Sequence, residues 1–241
     1  WGSHVRVGSS RGHVEALPIA EMVIANALYF AKNLPVAARQ TQTGDLDPDA
    51  YSLKLLAGKT IGMIGLGGIG LEVARLAKAM GMRVVGSRRS TQTPTENVGD
   101  VDVIYPPEDL PTILAQSDFV ALAPVLTDST LKMINAESIA AMKEGAILMN
   151  VGRGELIDEV ALKAALRSGK LGGAYLDVYD DEWSRPPDPD LLACPNLIMT
   201  PHNSGRVEVS SSFALDILKA NLKHFLAGEP LINEVDWDRG Y

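Results

Sequence analysis

Three polar stretches hold residues that suit acid–base and anion-binding chemistry, and each follows an apolar run of strand length. Arg153 lies between two glycines in "NVGRGELID", directly after the run "AILMNV". A long cation on such a turn is typical of carboxylate capture, and the alternative is a solvated loop arginine. His202 follows "NLIMT" in "TPHNSG", where an imidazole is well placed for proton transfer near neutral pH.

The third stretch is acidic and follows the apolar run "LGGAYL". It contains Asp177, Asp180, Asp181 and Glu182. Taken alone, an acidic loop is usually solvated surface, and a lone histidine is more often structural than catalytic. A carboxylate near His202 would instead stabilise the imidazolium and make it a competent acid toward a ketone oxygen. With Arg153 orienting a 2-oxo acid, the three stretches together predict its reduction by a nicotinamide.

A glycine turn provides the expected nucleotide site. Residues 65–70, GLGGIG, fit the pattern GxGxxG, with a strand pattern before them and a helix pattern after them. Gly65 permits the tight turn, Gly67 lets the backbone approach a pyrophosphate, and Gly70 allows close packing of helix on strand. The helix N-terminus presents free N–H groups to the phosphates. The predicted cofactor contacts here are Gly65, Gly67, Gly68, Ile69 and Gly70; the alternative is an ordinary glycine-rich turn or a methyltransferase-type nucleoside site.

The stretch "GSRRS" after the second strand indicates which dinucleotide binds. An acid at this place accepts a hydrogen bond from the ribose 2′-hydroxyl of NAD. Here Arg88 and Arg89 stand instead, and no acidic residue follows them until Glu96. A guanidinium cannot accept that bond, but it can hold a 2′-phosphate. We therefore predict that NADP(H) is preferred and NAD(H) tolerated, with Ser87 and Ser90 as further donors. The alternative is a pair of solvated arginines beside a permissive NAD site.

Apolar strand patterns alternate with helix patterns from residue 60 onward, as expected for a parallel sheet covered on both faces. The predicted fold class is α/β, a doubly wound Rossmann-type sheet with additions at both ends. Before it, "ALPIAEMVIANALYFAKNLPVAARQ" predicts one long amphipathic helix that buries Ile19, Val23, Ala27 and Phe30. The stretch "DDEWSRPPDPDLLACPN" is the longest predicted loop.

Composition narrows the class of protein. The chain has 241 residues, 46% of them hydrophobic, a net charge of −8 and a pI near 5.0. This charge disfavours nucleic-acid and membrane-surface binding, and no apolar run is long enough to span a membrane. Cys194 is the single cysteine, so no internal disulfide and no cysteine-rich metal site is expected. These features predict a cytoplasmic protein without a bound metal.

Taken in order, these motifs closely resemble those of the D-isomer-specific 2-hydroxyacid dehydrogenases. The similarity runs from "PIAEMVIANAL" through "GKTIGMIGLGGIG", "MKEGAILMNVGRGELIDEVALKAALRSGKLGGAYLDV" and "NLIMTPHNSG" to "NEVDWDRGY". By this resemblance Arg153, Glu182 and His202 are the catalytic residues, and Asp177 approaches the nicotinamide carboxamide. The implied activity is NADP(H)-dependent interconversion of a small 2-oxo acid and its D-2-hydroxy acid, such as glyoxylate or hydroxypyruvate.

The resemblance also implies a domain plan. Family members have a substrate domain and a coenzyme domain, and this chain matches the latter. We expect residues 1–17 to connect from a substrate domain, residues 18–228 to form the dinucleotide-binding domain with its linking helices, and residues 229–241 to return to the substrate domain. The resemblance further implies a homodimer formed through coenzyme domains.

Departures from the family pattern leave two alternatives open. Gly68 stands where arginine is common, and Trp183 replaces the usual proline after Glu182. Relatives that oxidise phosphite share this domain and triad, and Trp183 gives a distant resemblance to them. Corepressor-type relatives use the same fold as a non-catalytic, nucleotide-gated interaction module, against which the complete triad argues.

Overall fold

The computed structural model describes residues 5–9, 15–208, 210–235 and 237. Within them, eight strands form one sheet in the order β3-β4-β2-β1-β5-β6-β7-β8, parallel except for β3. The strands are β1 (Thr60–Ile64), β2 (Arg83–Ser87), β3 (Thr95–Val98), β4 (Val101–Tyr105), β5 (Phe119–Leu122), β6 (Ala146–Asn150), β7 (Leu171–Leu176) and β8 (Leu197–Met199). The predicted doubly wound α/β class is confirmed.

Helices cover both faces of the sheet. They are α1 (Ala16–Ala31), α2 (Leu34–Thr43), α3 (Gly68–Ala79), α4 (Leu110–Gln116), α5 (Ala136–Ala141), α6 (Glu159–Ser168), α7 (Pro189–Leu192) and α8 (Ser210–Ala227). Along β1, Ile61 and Met63 join a core with α1 and α3, while Ile64 joins a second core with α4, α5 and α6. Because successive side chains of a strand point to opposite faces, an all-apolar strand is what a two-sided core requires.

The predicted single helix at the start is wrong: two helices, α1 and α2, occupy it. The chain turns at Asn33, which has a left-handed φ of 52°, and Pro35 then stands in the first turn of α2. A proline has no N–H to donate to the preceding turn and is favoured where a helix begins, so α1 cannot run through it. The predicted apolar face of α1 is buried at Ile19, Val23 and Ala27.

Strand β3 was not predicted, and it makes the sheet mixed. It pairs antiparallel with β4 across a turn at Gly99, whose φ is 60°. All four β3 residues are exposed, so the strand carries no apolar run that would reveal it. The loop predicted between β7 and β8 likewise contains a short helix, α7.

The two ends of the described chain pair with each other. Gly8 and Glu234 form an antiparallel bridge, and Val235 N donates to Val7 O at 2.7 Å. Arg6 binds the Glu234 carboxylate at 2.8 Å. The predicted connections, residues 1–17 and 229–241, lie partly outside the described residues. Among the described helices, none has the length and apolarity needed to cross a membrane.

Candidate active site

A single cleft at the carboxyl ends of the strands brings the predicted catalytic residues together. It holds about 1660 Å³ of non-protein space, some of it open to solvent, and its lining includes Ile69, Arg153, Asp177, Trp183, His202 and Arg206. It lies beside β1 and β5, where the order of the strands reverses along the chain. Doubly wound folds form their ligand sites at this point because the loops on either side diverge and leave a crevice.

The imidazole of His202 is bound by the carboxylate of Glu182. The distance from His202 Nδ1 to Glu182 Oε1 is 2.6 Å, and the side chains are 34% and 9% exposed. With the Nδ1 proton donated to the carboxylate, Nε2 is the ring nitrogen available to a ligand in the cleft. Among the acids of the predicted loop, Glu182 is therefore the one whose carboxylate contacts the imidazole.

The backbone at His202 is held in an unusual conformation. Its φ is 50°, in the left-handed region, and its N–H donates to Asp177 O at 2.8 Å. A left-handed residue other than glycine or asparagine costs about 1–2 kcal/mol unless the surroundings hold it. The turn formed by residues 200–204 is thus strained at the residue that carries the imidazole.

Asp177 holds this turn with its buried carboxylate. Its Oδ1 accepts from Thr200 Oγ1 at 2.5 Å and from Asn203 N at 3.0 Å, and its Oδ2 accepts from Ser204 Oγ at 2.5 Å and Ser204 N at 3.1 Å. Behind it, the Tyr175 hydroxyl lies 2.8 Å from Thr200 Oγ1, and burial raises the pKa of that phenol to about 12. The series of hydrogen bonds from Tyr175 through Thr200 to Asp177 joins the end of β7 to the turn after β8.

Arg153 occupies an exposed position on a turn fixed from below. The buried Asn150 side chain donates to Arg153 O at 2.7 Å and accepts from Gly152 N at 3.0 Å. The guanidinium itself donates to Gly152 O at 2.7 Å and lines the cleft. Its remaining donors can therefore meet an anionic group in the cleft.

The turn of Arg153 packs directly on the loop that carries Glu182. A Cβ built on Gly154 would overlap the carbonyl group of Tyr179. That loop is held in turn by the Tyr179 hydroxyl, which donates to Arg185 O at 2.9 Å, and by Glu159, which accepts from Asp180 N at 2.9 Å. The two loops thus share one backbone contact that only glycine permits.

The glycine turn has the geometry that close approach to phosphate requires. Gly65 has a φ of 96°, and a Cβ on Gly70 would overlap the Gly65 carbonyl oxygen. A Cβ on Gly67, which precedes α3, would meet nothing within 4 Å, so the backbone there faces open space. Gly68 and Ile69 begin α3, whose first N–H groups have no partner within the helix.

Arg88 lies against the glycine turn at the end of β2. Its Nε donates to Leu66 O at 3.2 Å, which brings the guanidinium beside the turn. Ser87 is 7% exposed and its carbonyl accepts from Leu66 N at 2.9 Å, whereas Arg89 is exposed. No acidic side chain lies between β2 and Glu96 in β3.

Sequence reasoning missed the residues that hold the site from behind. Asn150, Thr200 and Ser204 are polar residues at the ends of apolar strands or in the turns that follow them. A polar residue after a buried strand is a usable signal, but its partner depends on which strand ends meet. Trp183 was recognised only as a departure, and its ring lies 5.4 Å from that of His202 between centroids.

The chain matches a known protein family over most of its length. Residues 24–204 match the family described as D-isomer specific 2-hydroxyacid dehydrogenase, NAD binding domain. The chain is 36% identical to D-3-phosphoglycerate dehydrogenase of Methanocaldococcus jannaschii, over 92% of this chain and 41% of that protein. It is 39% identical to hydroxypyruvate reductase of Thermotoga maritima, over 76% of this chain and 58% of that protein. The chain thus spans about half the length of these curated relatives.

Solved structures give the same result. The D-isomer specific 2-hydroxyacid dehydrogenase of Xanthobacter autotrophicus Py2, in complex with NADPH and MES, matches with a TM-score of 0.85 and 31% identity, over 99% of this chain and 95% of that one. The protein of Aeromonas salmonicida described as belonging to this family matches with a TM-score of 0.85 and 33% identity, over 98% and 73%. The chain therefore belongs to the D-isomer specific 2-hydroxyacid dehydrogenase family and contains its NAD binding domain.

Proposed function

We propose that this chain is the coenzyme-binding part of an oxidoreductase that interconverts a small 2-oxo acid and its D-2-hydroxy acid with NADP(H). Glyoxylate and hydroxypyruvate are the substrates we would test first. The observation that carries the proposal is the 2.6 Å pair of His202 and Glu182 in the same cleft as Arg153. The dinucleotide, when bound, supplies the hydride for reduction and accepts it for oxidation.

In this proposal His202 moves the proton. Glu182 accepts from Nδ1, which fixes the tautomer and leaves Nε2 to donate to the carbonyl oxygen of a 2-oxo acid. In the oxidative direction the same nitrogen accepts the hydroxyl proton. The carboxylate stabilises the imidazolium and orients the ring, as a positioned acid–base group requires.

Arg153 binds the carboxylate of the substrate. Asn150 fixes the backbone of its turn, so the exposed guanidinium presents paired N–H donors that match a carboxylate in fork geometry. An α-carboxylate held there sets the neighbouring carbonyl group toward His202. Orientation of this kind supplies much of the rate in reactions that need two groups aligned.

The cofactor would be held by the glycine turn and Arg88. Gly65, Gly67, Gly68, Ile69 and Gly70 fit a pyrophosphate, since the open side of Gly67 leaves room and α3 offers unpaired N–H groups. Arg88 beside this turn favours a 2′-phosphate, with Ser87 and Arg89 as neighbours and NAD(H) as a weaker ligand. Asp177 at the inner end of the cleft is proposed to lie near the nicotinamide.

Titration of the full chain with NADPH and NADH, followed by nucleotide fluorescence, tests the cofactor proposal. We expect Arg88→Asp to weaken NADPH binding about 10- to 100-fold, because a hydrogen-bonded charged contact is lost. NADH binding should weaken little or improve. Arg39→Asp, on an exposed residue of α2, introduces the same charge change away from the site and should alter neither affinity. Unchanged preference in Arg88→Asp would refute the role of Arg88.

Turnover of glyoxylate and hydroxypyruvate with NADPH, measured in the protein that joins this chain to its proposed substrate domain, tests the reaction. His202→Ala should abolish most of the rate and leave NADPH affinity intact, because proton transfer typically contributes 10²–10⁴-fold. Arg153→Ala should raise KM for the acid. Turnover by the His202 variant equal to that of the parent would refute the proton-transfer role, and turnover of phosphite alone would refute the substrate class.

Three further features belong to the same proposal. The paired segments 5–9 and 231–235 support the view that residues 1–17 and 229–241 connect to a substrate domain. Membership in the family supports a homodimer formed through coenzyme domains, which light scattering would detect. The single, buried Cys194 is compatible with a cytoplasmic location, which cell fractionation would test.

A further inference from the structure

Trp183 contacts the imidazole on which the proposed reaction depends. It directly follows Glu182 in sequence, and its ring centroid lies 5.4 Å from that of His202, with 42° between the ring planes. The residue is nevertheless 80% exposed. We infer that Trp183 is a positioning residue that holds His202 in the orientation needed to donate its proton, an inference that rests on the proposed function.

The contact supplies a restraint that Glu182 alone does not. A single hydrogen bond from Nδ1 to Oε1 fixes one atom of the imidazole, but the plane of the ring can still tilt through small changes in χ1 and χ2. An indole against the ring limits this tilt, because the imidazole would have to lose contact in order to move. Two consecutive residues of one loop therefore hold the same ring, one by a hydrogen bond to its nitrogen and one by ring contact.

The indole also suits the charged ring that proton transfer would produce, because an aromatic ring attracts a nearby cation. The charged groups around the imidazole are Glu182, which contacts it, and the cleft residues Glu15, Arg153, Asp177 and Arg206. The carboxylate of Asp177 is occupied by the turn of residues 200–204, and Glu182 and the indole are the groups that contact the ring.

Trp183 does not hold the loop in place. The loop is fixed by the Tyr179 hydroxyl, which donates to Arg185 O at 2.9 Å, and by Asp180 N, which donates to Glu159 at 2.9 Å. An indole that is 80% exposed contributes little buried area to stability. Its removal should therefore leave Glu182 in place and change only the restraint on His202.

Kinetics of Trp183→Ala and Trp183→Phe, measured in the protein that joins this chain to its proposed substrate domain, test the inference. We expect Trp183→Ala to lower kcat about fivefold or more, while KM for the 2-oxo acid and the affinity for NADPH stay within twofold. Trp183→Phe keeps an aromatic face and should restore at least half of the lost rate. Trp237→Phe replaces another partly exposed tryptophan and should change nothing. Equal kcat in parent and Trp183→Ala would overturn the inference.

Fluorescence separates the contact from the reaction. A protonated imidazole quenches an adjacent indole, so the emission assigned to Trp183, by difference from Trp183→Phe, should fall as the pH is lowered. The step should vanish in His202→Ala, and its persistence there would overturn the inference. If the step depends on His202 but the protein that joins this chain to its proposed substrate domain turns over no 2-oxo acid, the contact is supported and the proposed function is refuted.

Discussion

The change Asp177→Asn tests whether the buried carboxylate holds the turn of His202. The carboxylate is 2% exposed and accepts from two hydroxyl groups and two backbone N–H groups. In asparagine an NH₂ group replaces one of the two carboxylate oxygens, so the donors on that side would meet another donor instead of an acceptor. Hydroxyl groups can rotate, but the N–H groups of Asn203 and Ser204 cannot. We expect one or two charge-assisted bonds to be lost, at about 1.5–3 kcal/mol each.

Urea unfolding followed by circular dichroism gives the free energy of unfolding for this comparison. The matched control is Asp158→Asn at the N-cap of α6, where the aspartate accepts from Val160 N and Ala161 N. Asparagine caps a helix about as well as aspartate, so the control should differ from the parent by about 0.5 kcal/mol or less. An Asp177→Asn variant as stable as this control would refute the reasoning.

The same variant separates two roles for Asp177. If the carboxylate mainly holds the turn, the variant should lose stability and kcat together, while the affinity for NADPH changes little. A large loss of NADPH affinity at unchanged stability would instead favour direct contact with the cofactor.

Three further changes have defined outcomes. Gly154→Ala should lower kcat at least tenfold and destabilise the fold by about 2–4 kcal/mol in urea unfolding, because its Cβ would overlap Tyr179. The hydrogen bond from Arg6 lowers the pKa of Glu234 from 4.5 to about 2, so the contribution of this pair should be complete above pH 4.5 and lost as the pH falls toward 2. Comparison of the acid unfolding curves of the parent and of Glu234→Gln, which lacks the titrating carboxyl group, measures this pH-dependent contribution. Burial raises the pKa of Tyr175 from 10.0 to about 12, so stability should fall as the pH rises through this interval, and Tyr175→Phe should abolish that part of the alkaline unfolding curve.

The proximity of the predicted catalytic residues could be inferred from the sequence because of a general property of parallel sheets. The turns carrying Arg153 and His202 follow β6 and β8, and the carboxyl ends of parallel strands meet at one edge. The glycine turn could also be recognised from sequence, because its glycines are required by the local geometry of a strand, a turn and a helix. For such residues, order along the chain and element type suffice to predict proximity.

Features that depend on how distant segments approach could not be predicted. The break at Asn33 was hidden by an unbroken apolar pattern, although Pro35 two residues later was a signal. Strand β3 is polar and exposed, so only pairing with β4 defines it. The partners of Asp177 come from a turn about 25 residues further along, and no spacing rule specifies them.

The left-handed backbone conformation of His202 places the stability of the fold in conflict with the proposed proton transfer at one position. Glycine and asparagine adopt a φ near 50° more easily than histidine, so either would relieve strain of about 1–2 kcal/mol there. Selection of variants for heat resistance alone would therefore favour replacement of the very residue proposed to move the proton. Laboratory evolution of this chain would need selection for turnover in every round, because selection for thermal stability alone would favour a more stable but inactive protein.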